Sequence, residues 1–173
     1  MRVVWMFLLL VASFPTEAAE QVIGTSEAQA CYEGATFNPQ TASDAACDQA
    51  IKRGRLSQPE LAATYSNRGI ILAHHGKLDQ AIADQNTAIS LDPKSARAHI
   101  NRANDYYRIK RHADAIADYD VAISLPGGDL APAYYNRAQA HRALGHKDAA
   151  NQDLRQAATL QPDIYGHALR EIE

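Results

Sequence analysis

The chain has 173 residues, 46% of them hydrophobic and 21% charged, with a formal net charge of −3. A weakly acidic balance without a basic block gives no electrostatic case for nucleic acid or for an anionic membrane surface as a partner. The length suits a single domain.

Met1 and Arg2 precede a mostly apolar run over residues 3–14, followed by Pro15 and a stretch of small residues ending at Ala18 and Ala19. Residues 1–19 therefore have the outline of a signal peptide, cut after Ala18 or Ala19, with a retained anchor as the other reading. The run is shorter than the roughly 20 residues a bilayer span needs, and no later run competes, so no integral span is expected after cleavage.

Residues 20–56 form the next unit. Residues 20–25 are expected to lack regular structure, and residues 41–52 read as a helix ending near Gly54, with Cys47, Ala50 and Ile51 on one face. The two cysteines of the chain, Cys31 and Cys47, both fall here. In an exported protein an isolated pair is most economically a disulfide, free buried thiols being the alternative. A bridge would fasten residues 26–33 to the helix and stabilise the segment by roughly 3 kcal/mol in the chain-entropy model.

From there the chain repeats itself. Asn67-Arg68-Gly69 returns as Asn101-Arg102-Ala103 and as Asn136-Arg137-Ala138. Ala81-Ile82-Ala83-Asp84 recurs as Ala115-Ile116-Ala117-Asp118 and, weakly, as Ala150-Asn151-Gln152-Asp153. The spacings, 34 and then 35 residues, signal a stacked array. Each repeat carries two stripes at helical spacing. In the first, Leu61, Tyr65, Arg68, Gly69 and Leu72 make one; Leu78, Ala81, Ile82, Gln85, Ala88, Ile89 and Leu91 make the other. His75-Gly76 marks the turn between them. Ser57 and Glu60 have capping-box spacing around Pro59. The second pair is expected over residues 95–109 and 112–124. The third is expected over residues 132–144 and 147–160, closed by Pro162. The Pro126-Gly127-Gly128-Asp129 turn loosens the second connection by one residue.

Counting each repeat from Ala62, Ala96 or Ala131, the eighth, twentieth and twenty-seventh places are small: Gly69, Ala81, Ala88; Ala103, Ala115, Ala122; Ala138, Ala150, Ala157. This pattern resembles the tetratricopeptide repeat (TPR), in which closely crossing helices admit only small side chains at those places. Departures are His99 at the fourth place, His141 at the eleventh, Gln85 at the twenty-fourth and the early Pro126. The resemblance implies an all-α fold, a right-handed α-solenoid of three hairpins over residues 62–95, 96–130 and 131–164. Residues 165–173 then read as a capping helix, in a run from Ile164 through Leu169 to Ile172, with Glu171 and Glu173 solvating its outer side. Ala50-Ile51 resembles the end of a second TPR helix, so residues 20–56 read as a degenerate N-terminal half-repeat. The style of the repeats resembles bacterial proteins, which with the leader points to the periplasm or to secretion.

Chemistry is sparse. His74, His75, His99, His112, His141, His146 and His167 show no four-residue pairing on a helical face, and no nucleophile elbow or phosphate loop is present, so no catalytic residue, metal or cofactor is assigned. Two polar columns stand out. Arg68, Arg102 and Arg137 occupy the seventh place and Asp84, Asp118 and Asp153 the twenty-third, and they are read as structural ion pairs whose arginine stems cover the hairpin interface. The asparagine column is the candidate binding element. The resemblance places the first helix of each hairpin on a concave face, whose lining would include Asn67, Asn101, Asn104, Asn136, Gln139, Tyr107, Tyr135, Arg97, Arg108, Arg142 and His74. Asparagine both donates and accepts, tyrosine adds contact area and arginine selects acidic groups. The other reading of the asparagines is that they bond neighbouring helices. TPR proteins that capture carboxy-terminal carboxylates use a lysine and asparagine clamp. Ser66, Ile70, Pro132 and Asn136 depart from it and Asn101 alone agrees, which argues against a chaperone-tail adaptor. The expected function is a non-catalytic scaffold holding a protein or an extended peptide. The competing readings are a metal- or small-ligand-binding protein using the histidines, and a self-associating structural protein, a homo-oligomer whose groove takes a neighbour's terminal segment.

Overall fold

The computed structural model describes residues 16–126 and 130–171, with side chains over residues 26–126 and 130–168. Residues 1–15, which hold most of the expected signal peptide, the Gly127-Gly128-Asp129 segment, the Leu169 and Glu171 side chains, and Ile172 and Glu173 lie outside those descriptions. The described residues are helical without strands: α1 (Thr16–Phe37), α2 (Ala45–Arg53), α3 (Gln58–His74), α4 (Leu78–Leu91), α5 (Ala96–Arg108), α6 (His112–Ser124), α7 (Leu130–Ala143), α8 (Lys147–Leu160), α9 (Pro162–Tyr165) and a 3₁₀ turn (Gly166–Glu171). Each helix packs on its sequence neighbour, and the first helices α3, α5 and α7 also touch in series, which is the connectivity of a helical solenoid.

Local chemistry explains the hairpin ends. At the start of α3 the Ser57 N–H and hydroxyl both donate to Glu60 Oε2, at 2.8 and 2.7 Å. Those bonds hold the Glu60 carboxyl below its ordinary value. Gly76 and Gly145 take positive φ at the turns of the first and third hairpins, while the second turn places Lys110 at φ 63. The alanines at the small places are buried: Ala81, Ala103, Ala115, Ala122, Ala138, Ala150 and Ala157 are at 0% exposure and Ala88 at 1%.

The first repeat fills its interface differently. A Cβ on Gly69 would lie 2.5 Å from Gln85 Nε2 and 3.2 Å from the Ala81 carbonyl oxygen. The later hairpins combine alanine at that place with Tyr119 or Leu154 opposite, both buried. Gly69→Ala should therefore destabilise the fold by about 1–3 kcal/mol, and adding Gln85→Leu should recover most of it in urea unfolding. A double variant as unstable as the single one would show that the Ala81 backbone, rather than the glutamine, sets the limit.

Both ends differ from the sequence expectation. Residues 20–25, expected without regular structure, lie within α1, whose Ala-, Glu- and Gln-rich sequence favours helix. The second N-terminal helix starts at Ala45 rather than near residue 41, because a turn on the Asn38 carbonyl occupies the N–H groups of Thr41 and Ala42. Thus α1 and α2 make a hairpin, where one helix of a half-repeat was expected. Cys31 and Cys47 join across it, S–S 2.13 Å and 16 residues apart. At the other end Pro162 both closes α8 and opens α9 as its first residue, so the cap begins before residue 165 and passes into the 3₁₀ turn. Its packing residues are Tyr165, whose ring lies 5.0 Å from that of Tyr135, and the fully buried Ala168. Ile164 is 59% exposed.

Candidate functional site

The arginine and asparagine columns separate into two layers. Arg68 Nε and a terminal nitrogen donate to the two Asp84 oxygens, both at 2.7 Å. Arg102 does the same to Asp118 at 2.7 Å, and Arg137 to Asp153 at 2.8 and 2.7 Å. The remaining nitrogen of each guanidinium crosses to the preceding hairpin: Arg68 to Asp48 on α2, Arg102 to Asn86 on α4, Arg137 to Asp120 on α6. Each arginine thus closes its own hairpin with a two-bond fork and ties it to the one before. These hydrogen bonds, those of Asp84, Asp118 and Asp153 foremost, raise all three arginines above their ordinary values. Each guanidinium also lies over a tyrosine, Tyr65, Tyr106 or Tyr134, at 5.2 to 5.9 Å from the ring centre.

The same register extends into the N-terminal hairpin. Asp48 follows Cys47 as Asn86 follows Gln85 and Asp120 follows Tyr119, which sets Cys47 at the twenty-fourth place and Cys31, 16 residues earlier, at the eighth. Where the other hairpins carry the arginine fork, this one has Ala30 and Ala46, and the disulfide beside them supplies the cross-link.

Asn101, Asn104 and Asn136 bond across successive first helices, and Asn67, Asn101 and Asn104 also line the space between α3 and α5. Asn101 Nδ2 donates to Ser66 Oγ at 3.1 Å, and Asn136 Nδ2 to Asn104 Oδ1 at 3.1 Å, each linking successive first helices. Asn104 Oδ1 also accepts from the Tyr119 hydroxyl at 2.5 Å. Burial raises the Tyr119 hydroxyl above its ordinary value. Asn67 is 7% exposed. Tyr135, expected in the groove, instead lies against the cap rings of Tyr165 and His167. Gln139 and Arg142 are half-buried on α7. Arg97, Tyr107, Arg108 and His74 are exposed, Tyr107 stacking at 5.1 Å on His112 and Arg108 donating to the Ala73 carbonyl at 2.7 Å.

Two grooves run between α3 and α5. The larger, about 300 Å³, is lined by Ile70, Ala73, His74, Gln85, Asn101, Asn104, Asp105 and Arg108. The smaller, about 130 Å³, includes Pro59, Ala63, Ser66, Asn67, Ser95 and Arg97. Asp105 is absent from the sequence expectation. It is 3% exposed, and burial, partly opposed by the charge of Arg108, pushes its carboxyl up to about 7. A comparison of repeats could have found it, since the same tenth place holds Ile71 and Ala140, both at 0% exposure.

The histidines are dispersed. His99 is buried, its ring nitrogens 3.3 Å from Asp118 Oδ1 and from the Pro93 carbonyl. His141 and His146 bring their Nδ1 atoms to 3.3 Å, and burial lowers His141 from its ordinary value. Among the described residues no group of three or more His, Cys, Asp or Glu could hold a metal ion, and no helix is long and apolar enough to cross a membrane.

Residues 62–95 and 131–164 match the tetratricopeptide repeat family. Hsc70-interacting protein 1 of Drosophila melanogaster is 41% identical over 87 residues, 50% of this chain and 23% of that protein. The TPR repeat-containing thioredoxin TDX of Arabidopsis thaliana is 33% identical over 99 residues, 57% of this chain and 26% of its own length. The chain thus spans about a quarter of the length of these curated relatives. Among solved structures, the first TPR of Spaghetti (RPAP3) bound to the HSP90 peptide SRMEEVD superposes with a TM-score of 0.60 at 29% identity, covering 64% of this chain and 89% of that one. MamA superposes with a TM-score of 0.64 at 20% identity over 81% of this chain and 85% of that one, a likeness of fold.

Proposed function

We propose that this chain, a solenoid of tetratricopeptide repeats, is a non-catalytic scaffold that holds a protein, or an extended segment of one, along the face of α3, α5 and α7. The carrying observation is the pair of adjoining grooves between α3 and α5, which together follow the length of both helices. Two open grooves set end to end, with mixed apolar and polar lining, suit an extended chain better than a compact metabolite. The Spaghetti domain, bound to an HSP90 peptide, supports a peptide-holding role for such a face. The carboxylate clamp is not reproduced: Ser66, Ile70 and Pro132 stand in three of its places. Asn101, the one residue that agrees, has its amide N–H on Ser66. The bound segment is accordingly not a chaperone tail. Recognition then falls to the exposed groove residues Arg97, Arg108 and His74 and to Tyr107, exposed on α5 outside the two linings, while the asparagine ladder keeps the helices in register. Capture from cell extract should be lost with Arg97→Ala combined with Tyr107→Ala, two exposed changes that leave the fold intact. Equal capture by this variant and the wild type would refute the assignment of the face.

We further propose that the protein works after export, in the periplasm or outside the cell. The leader-like residues 1–19 and the Cys31–Cys47 pairing support this, since an oxidising compartment preserves such a bridge. Reduction, or Cys31→Ser with Cys47→Ser, should lower unfolding stability by roughly 3 kcal/mol. An unchanged urea midpoint under reducing conditions would count against a bridge in the native protein.

A further inference from the structure

The larger groove has a chemical bias that a general peptide-holding face does not require. Asp105 is 3% exposed and lines this groove. Packing gives no reason for a charge there, because Ile71 and Ala140 fill the same place in the other hairpins at 0% exposure. An orphan acceptor lines the same groove: Gln85 Nε2 donates to the Ser66 carbonyl at 3.0 Å, but its buried Oε1 has no partner. The groove also lies at the carboxy-terminal ends of α3 and α5, where helix dipoles favour positive charge. Arg108 is the resident cation, yet one of its terminal nitrogens is held on the Ala73 carbonyl, and burial of Asp105 outweighs its charge. A buried carboxylate beside a buried amide oxygen that has no donor calls for a ligand that brings N–H groups with positive charge.

We propose that this groove admits a cationic side chain of the bound segment, a lysine ammonium or an arginine guanidinium, and that Asp105 is the group that pairs with it. The proposal rests on the reading of this face as a binding face and names the partner's chemistry there. The groove's volume of about 300 Å³ accommodates either side chain. His74, exposed on the rim, marks the entrance on the α3 side.

The test uses the full chain and N-acetyl-arginine amide as the probe, followed by amide resonances in an NMR titration. Shifts confined to residues around 101–108 and 70–74 should saturate at roughly millimolar probe, while N-acetyl-glutamate amide should not saturate. Asp105→Asn, which keeps the shape, should weaken the arginine probe at least tenfold, with circular dichroism confirming that it is folded. No saturation by the arginine probe, or equal affinity in Asp105→Asn, would overturn the proposal. Loss of protein capture in the Arg97/Tyr107 variant alongside non-saturation would leave the scaffold reading standing and remove this one. Saturation without any captured protein would keep this one and remove the scaffold.

Discussion

Replacing Arg137 with methionine is expected to destabilise the protein by about 3 kcal/mol, the cost of leaving a buried acid without its partner. Asp153 is 4% exposed, and both its oxygens accept from Arg137. Methionine retains much of the aliphatic stem beside Tyr134, so the loss reports the guanidinium and not the packing. The same guanidinium reaches Asp120 on α6, so one substitution weakens both the closure of α7 on α8 and the stacking of that hairpin on its neighbour. Urea unfolding at neutral pH measures the loss, and the double variant Arg137→Met with Asp153→Leu should recover most of it, since no buried charge is then left unpaired. An exposed pair provides the contrast: Arg111 and Asp114 are 54% and 48% exposed, and Arg111→Ala should change stability by under about 1 kcal/mol. If Arg137→Met were as mild as Arg111→Ala, the recurring forks would be surface decoration and not the cross-links between hairpins.

Recurrence made much of this structure legible. The arginine and aspartate columns keep the same separation of 16 residues in each of the three repeats, so their pairing could be anticipated from spacing alone. The third guanidinium nitrogen could not, because it chooses among Asp48, Asn86 and Asp120 in another hairpin, a matter of how hairpins stack. The asparagine column was visible as a row, but its partners are Ser66 and Asn104, set by the close approach of successive first helices. The N-terminal hairpin was obscured because cysteines replace the small residue and its opposite number, and alanines stand where the arginine and aspartate of the other repeats would be. Asp105 is the converse case. It matters because it breaks the repeat, and a reading that searches for agreement between repeats passes over it.

That break sets a second large effect. Between pH 4 and about 7 the folded protein should hold a proton on Asp105 that the unfolded chain has already released, because burial raises the carboxyl from 3.8 to about 7. The unfolded state binds fewer protons in that window, so stability falls as pH rises through it and levels off above about 7. A shift of that size corresponds to a handicap of up to about 4 kcal/mol at pH 8. Asp105→Asn cannot ionise, so it should be more stable than the wild type by about 2–4 kcal/mol at pH 8 and nearly equal to it at pH 4. Other groups titrate alike in both proteins, and the difference between their urea curves across pH isolates this carboxyl. Equal stabilities at every pH would mean that the carboxylate is solvated in the groove. If the handicap is found, it also sets the direction of coupling: a cation bound beside Asp105 favours the ionised form, so at pH 6–7 uptake of the arginine probe should release protons, detectable as a buffer-dependent heat of binding. The residue that weakens the free protein at neutral pH is then the one that gives the groove its preference.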